Sequence, residues 1–239
     1  MIKIHNEPDS IFHFDIPSNF NKILGRLKSQ GIVYPENYFE HLIEKYAKIQ
    51  IRYPRIVQRI GQPNIRSHFA YSDILKYEGK LLDYGCGTGD DIRMLIKDGF
   101  PKKNITGYDI DWGNIKIGFD FYLDEKEIKD LFVVSKIFPF KDSSFDIVYS
   151  GSILHVLSKI ENVKAYLKHS FSVLRSNGIF FGSTLGKIDV SIRKRRRRVF
   201  LMKESELINS LRETHFSIVK VHPITTDFKT RLWFYAEKS

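Results

Sequence analysis

From residue 80 onward, short apolar runs rich in β-branched and aromatic residues alternate with polar or helically patterned stretches. The runs KLLDYG (80–85), NITGYDI (104–110), LFVVSK (131–136), FDIVYSG (145–151), GIFFGSTL (178–185), SIVKVHPI (217–224) and RLWFYAEK (231–238) read as seven strands. Between them, DDIRMLIKDGF (90–100) places Ile92, Leu95 and Ile96 on one helical face and reaches a glycine stop at Gly99. Residues 153–178 and KESELINSLRETHF (203–216) read as two further helical stretches. Strands separated by helices predict an α/β fold: a seven-stranded, mostly parallel sheet with helices on both faces. Only the last two strands share a short link, ITTDFKT, so the last strand is expected to run antiparallel.

The first 78 residues lack this rhythm. They are rich in aromatics, divided by Pro8, Pro17, Pro35, Pro54 and Pro63, and carry the helix-compatible run ENYFEHLIEKYAKIQIRY (36–53). The expected organisation is an N-terminal helical extension or lid over 1–78 and a binding domain over 79–239. A helical cap on the sheet's carboxyl edge and a plain structural extension are both open. Tyr34, Tyr38, Phe39, Tyr46 and Tyr53 could roof a ligand, but positions 39, 42, 43 and 46 also have the spacing of a packing face.

The first strand ends in an acid and runs into three glycines, DYGCGTGDD (83–91). A strand that feeds a helix through bare backbone brings N–H groups and the positive helix end to a ligand. The dinucleotide fingerprint G-x-G-x-x-G fails, because the sixth position is Asp90, and no Lys-Ser or Lys-Thr follows to make a P-loop. Asp83, Asp90 and Asp91 would repel a pyrophosphate and favour a cation. Asp109, twenty residues beyond Gly89 and closing the next strand, stands where a carboxylate accepts two ribose hydroxyls. A nucleoside bearing positive charge and no phosphate satisfies both demands, and S-adenosylmethionine is such a compound.

DYGCGTG (83–89), YDID (108–111) and FPFKDSSFDIVYSGSILHVL (138–157), in this order and spacing, resemble the class I S-adenosylmethionine-dependent methyltransferases. The resemblance covers 80 to about 185 well and extends more loosely to 239. It implies that the backbone of Gly85, Cys86, Gly87 and Gly89 passes beneath the methionine moiety and that Asp83 helps hold its ammonium. It further implies that Asp109 takes the ribose hydroxyls and Ile110 flanks the adenine. Many relatives place an Asp after the third strand for the adenine amino group. This chain has none there, so Ser135, Lys136 or a carbonyl near Ile137 would substitute.

Methyl transfer is a direct displacement that needs alignment and exclusion of water, with a base only where the acceptor must lose a proton. The fourth strand delivers Tyr149, Ser150, Gly151 and Ser152 to the same edge, so Tyr149 and Ser150 are catalytic candidates. His155 could be a base or a packed structural histidine. No Asn-Pro-Pro-Tyr or Asp-Pro-Pro-Tyr follows this strand, which argues against base amino groups of nucleic acid as acceptors.

Composition changes this picture in three places. The 239 residues include one cysteine, which rules out an internal disulfide and any multi-thiolate metal site, so no metal is expected. Cys86 itself reads as a small packed side chain in a tight turn, with a nucleophile as the alternative. The net charge of +10 favours an anionic partner, yet six positive charges lie in one run, Arg193–Arg198. That run is a solvated loop, a grip on an anionic acceptor such as RNA, or part of a targeting signal. The opening residues carry acids and a proline, so no secretory signal is expected, no run is long enough to span a membrane, and a cytoplasmic location follows. The leading expectation is a methyltransferase with a small-molecule acceptor. RNA or protein methylation through the basic run, and a non-catalytic nucleoside-binding partner protein, are the alternatives.

Overall fold

The computed structural model describes residues 16–47, 54–187, 200–226 and 229–239. The strands are β1 (Leu81–Tyr84), β2 (Ile105–Asp109), β3 (Phe132–Val134), β4 (Phe145–Gly151), β5 (Leu174–Gly186), β6 (Ile218–Thr226) and β7 (Lys229–Glu237). They form one sheet in the order β3-β2-β1-β4-β5-β7-β6. β1 pairs parallel with β2 and β4, β3 with β2, and β5 with β4, while β7 runs antiparallel to both β5 and β6. All seven expected strands are present, and the antiparallel strand is the last one, as its short link requires.

The helices are α1 (Ile16–Ser29), α2 (Tyr38–Ala47), α3 (Pro54–Gln58), α4 (Tyr71–Ile74), α5 (Asp90–Lys97), α6 (Trp112–Tyr122), α7 (Glu125–Ile128), α8 (Ile160–Val173) and α9 (Glu204–Glu213). Both faces of the sheet are covered, so β1 is buried at every position. Leu81 packs with Ile147, Tyr149 and Phe181 beneath α4 and α5. Leu82 packs on the other side with Val148, Tyr166 and Phe180 beneath α8 and α9. α5 opens on Gly89 at φ +75° with Asp90 and Asp91 in its first turn, where the helix dipole favours acids, and closes at Gly99 with φ +97°.

Helix α6 had no counterpart among the expected elements. It buries Ile115, Ile117, Phe119, Phe121 and Tyr122 on two sides, between the sheet and the N-terminal helices, so no polar face marks its period. Asp111 caps it by accepting the Gly113 N–H at 2.8 Å. Gly118 lets it lie directly on the glycine turn: a Cβ there would sit 2.9 Å from the Thr88 carbonyl carbon and nearer still to its oxygen.

The N-terminal aromatics make a packing face. Phe20, Ile23 and Leu27 of α1 and Phe39, Leu42 and Tyr46 of α2 enclose Phe121 of α6, with Tyr46 and Phe121 stacked at 5.7 Å. Tyr34 donates to the Phe121 carbonyl, Tyr38 to the Asp120 carbonyl, and Tyr46 and Lys45 both meet the Asp120 carboxylate. The possibility of an aromatic roof is thus corrected at Tyr34, Tyr38, Phe39 and Tyr46, which are spent on α6. Tyr53 lies outside the described residues, as does Arg193–Arg198.

Candidate active site

β1 turns through Gly85 (φ +87°), Gly87 (φ +56°) and Gly89 at the carboxyl edge of the sheet. The Gly85 and Cys86 N–H groups both donate to the Tyr108 carbonyl, at 2.7 and 3.0 Å, which ties the turn to β2. A Cβ on Gly85 would meet Ile153 at 2.5 Å, and one on Gly87 would meet Ile56 of α3 at 3.0 Å. The turn therefore has a roof made of one residue after β4 and one from the N-terminal helices. Cys86 packs against the cluster of Ile115, Phe119 and Ile128. Burial pushes its thiol well above the ordinary range, which suits packing and not nucleophilic attack.

The four carboxylates around the turn do different things. Asp109 accepts the Gly87 N–H on Oδ2 at 2.9 Å and, on Oδ1, the Asp111 N–H at 2.9 Å and Asn114 Nδ2 at 3.5 Å, leaving a lone pair on Oδ2. Asp90 accepts from Gly61 N at 2.6 Å, from the Tyr122 hydroxyl at 2.7 Å and from Thr88. Asp91 accepts from Asn64 N (2.6 Å), Ile65 N (2.9 Å) and the Tyr149 hydroxyl (3.1 Å). These two acids bind the 61–65 segment to α5, so they are not a free ring of charge facing a ligand. Burial raises the Asp91 pKa to about 6 against the pull of its two backbone donors.

Asp83 is the exception. It is only 2% exposed, makes no hydrogen bond with any described residue, and its Oδ2 is shut off from solvent. Burial first, then the charges of Asp91, Asp109 and Asp90, hold its pKa well above the usual carboxylate range. A buried carboxylate without a donor is costly and calls for a cation.

Beyond Asp109, Ile110 is half-buried against the sheet core. Ser135 is fixed on three sides: Tyr108 donates to its carbonyl at 2.9 Å, its N–H reaches the Asp109 carbonyl at 3.4 Å, and its hydroxyl accepts from Ile137 N at 3.2 Å. Lys136 is exposed and Ile137 is 72% exposed beside β3.

At the end of β4, alternate residues face opposite sides. Tyr149 is fully buried, packs on Phe181 at 4.9 Å, and gives its proton donor to Asp91. Ser150, also fully buried, accepts from Tyr166 at 2.9 Å, which donates to the Tyr84 carbonyl as well. His155 is half-buried, with Nδ1 accepting from Leu185 N at 3.4 Å and 3.3 Å from the Thr184 hydroxyl. Its lone-pair nitrogen is therefore engaged by β5. Sequence reading missed Ile56, Ile153, Tyr166 and Arg231, whose guanidinium donates to Ser152 and Ser183 at 3.2 and 2.9 Å. No spacing rule announces Ile56, Tyr166 and Arg231, because each reaches the site from a distant element, whereas Ile153 stands just beyond the β4 residues already singled out.

The fold and the turn together define a mostly parallel α/β protein whose first strand ends in a glycine-rich bend beside the buried carboxylates of Asp83 and Asp109. The profile of a methyltransferase-domain family matches residues 46–228, and the chain belongs to that family. The O-methyltransferase phiE of Fungal sp. (strain ATCC 74256) is 28% identical over 145 residues, which are 55% of this chain and 48% of that one. Magnesium protoporphyrin IX methyltransferase ChlM from Synechocystis PCC 6803, solved with bound SAM, superposes with a TM-score of 0.55 at 17% identity. The match covers 92% of this chain and 97% of ChlM. The [4+2]-cyclase SpnF superposes with a TM-score of 0.56 at 17% identity, over 76% of this chain and 82% of that one. The two structural likenesses establish the fold. The chain spans about half the length, or less, of the first curated relatives it matches.

Proposed function

We propose that this chain is an S-adenosylmethionine-dependent methyltransferase that places a methyl group on an oxygen or nitrogen of a small-molecule acceptor. The observation that carries this reading is the buried, unpartnered carboxylate of Asp83 beside three glycines that a Cβ would obstruct. S-Adenosylmethionine offers what the site lacks: an ammonium for Asp83, a ribose hydroxyl for the lone pair left on Asp109 Oδ2, and no phosphate. When bound, it supplies a methyl group activated by the sulfonium charge.

In this assignment the backbone of Gly85, Cys86, Gly87 and Gly89 carries the methionine moiety, Ile110 flanks the adenine, and the strip of Ser135, Lys136 and Ile137 meets the adenine edge. Tyr149 acts through Asp91 and Ser150 through Tyr166, so both hold the turn's surroundings. His155 positions β5 against the residues that follow β4. The chemistry then asks the protein for alignment and dryness, which Ile153 and Ile56 supply by covering the turn. Residues 1–78 serve as the cap and 79–239 as the cofactor domain. An oxygen acceptor draws support from the name of phiE, and a cytoplasmic setting from the single cysteine. Among the described residues no helix is long and apolar enough to cross a membrane.

The [4+2]-cyclase neighbour shows that this fold alone does not fix the chemistry. Incubation with methyl-tritiated S-adenosylmethionine, a panel of phenols, acids and amines, and total RNA separates the readings. Label is expected in a small-molecule product. Label confined to RNA or to protein, or none anywhere, would refute the proposal.

A further inference from the structure

Arg231 opens the second half of the β6–β7 hairpin and pairs in register with Leu185, at the carboxyl end of β5. Its Nη1 donates to the hydroxyls of Ser152 and Ser183, which lie just beyond β4 and within β5. Ser152 is held at φ +69°, a strained conformation for a residue with a side chain and one that recurs at functional sites. Ile153, the next residue, roofs Gly85. The guanidinium is thereby fixed beside the glycine turn, on the sheet face shared by Tyr149 and Asp91.

Its fixing partners are neutral. Among the described residues no carboxylate lies within ion-pair distance of Arg231, and its Nε and Nη2, which form one bidentate edge of the guanidinium, make no hydrogen bond. The acid nearest in effect, Asp91, is committed to Asn64 N, Ile65 N and Tyr149. A second guanidinium is close: Arg59, after α3, is bound to the amide oxygen of Asn64. Burial, and next the charge of Arg59, lower the pKa of Arg231 against the opposing pull of Tyr149 and Asp91. The guanidinium carbon stands over the Trp233 ring, 5.5 Å from its centroid, so no direct counter-ion meets this positive charge among the described residues. A half-buried arginine oriented by hydroxyls, with its fork open and a like charge nearby, is arranged for an anion that arrives from outside.

We propose that Arg231, assisted by Arg59 of the cap, is the docking point for an oxyanion on the acceptor, a carboxylate or a phosphate, and so determines which molecules are methylated. This rests on the methyltransferase reading and narrows its substrate class. A neutral acceptor of the same shape would leave both guanidinium groups unpaired, which rejects it more strongly than a lost apolar contact would.

The test is calorimetry on the full chain loaded with S-adenosylhomocysteine, at constant ionic strength, with benzoate, phenyl phosphate and benzamide as probes. One or both anions are expected to bind at least tenfold more tightly than benzamide. Arg231→Gln should weaken the anion at least tenfold, Arg231→Lys less, because it keeps charge without the fork, and Arg59→Gln by a few-fold. S-Adenosylhomocysteine affinity, measured on the same samples, should stay within twofold and shows that the variants are folded. Equal binding of benzamide and benzoate overturns the proposal, as does anion binding indifferent to both arginines. So does a failure of the loaded wild-type protein to bind either anion. Failure of the wild-type protein to take S-adenosylhomocysteine would instead overturn the cofactor reading, and this one with it.

Discussion

Replacing Asp109 with alanine is expected to weaken S-adenosylmethionine binding at least tenfold, about 1.4 kcal/mol, with the sheet intact. The side chain sits at the end of β2 and is 8% exposed. One oxygen receives the Gly87 N–H and the other the Asp111 N–H and the Asn114 side-chain amide. The same carboxylate that would accept a ribose hydroxyl therefore also fixes the bend of the glycine turn. Alanine removes the ligand's acceptor and releases Gly87, and both effects act in the same direction. Asp109→Asn keeps one acceptor oxygen but turns an amide donor toward another N–H, so an intermediate loss is expected. Titration calorimetry of both variants measures the ratio, and an affinity equal to wild type would mean that the ribose lies elsewhere.

The largest effect on stability is expected from Gly118→Ala. Helix α6 approaches the glycine turn at this residue so closely that a methyl group would lie on the backbone of Thr88. A backbone cannot step aside as a flexible side chain can. The substitution would force α6 away from the turn and from Phe121's pocket between α1 and α2. The gain in helix propensity, about 1 kcal/mol at most, does not offset that. A net loss of about 3 kcal/mol is expected, the upper end for overpacking. For a chain of this size that lowers Tm by about 6–12 °C. Gly25→Ala in α1 is the matched contrast, since nothing stands within 4 Å of its added Cβ. It should raise Tm, and thermal unfolding of the two variants side by side would expose a misplaced α6 if both behaved alike.

What could be read from sequence was what short-range pattern encodes. The seven strands, the glycine stop at Gly99 and the turn at Gly85–Gly89 depend on periodicity and on positive φ, which neighbouring residues announce. Helix α6 was not legible because it is buried on two sides and its apolar residues surround it. The acids after the turn were legible as acids but not in their use. Asp90 and Asp91 receive N–H groups from Gly61, Asn64 and Ile65, and contacts across 26 to 29 residues leave no local trace. The isolation of Asp83 was equally hidden, since lacking a partner is a property of space. Arg231 reaches Ser152 only because the β6–β7 hairpin sets β7 against β5 in one register.

The central claim is that the acid-flanked turn takes a cationic nucleoside and not a dinucleotide. The most direct test is calorimetric titration of the wild-type protein with S-adenosylmethionine and, separately, with NAD, between pH 5 and 8. Burial raises the pKa of Asp83 and of Asp109 in the free protein, so these groups hold protons above the usual carboxylate range. A cationic ligand favours their ionised forms and must release those protons on binding. The predicted result is one-to-one binding of S-adenosylmethionine with proton release, an affinity that rises with pH, and no uptake of NAD. Binding of NAD in a manner abolished by Asp109→Ala, with S-adenosylmethionine ignored at every pH, would contradict it.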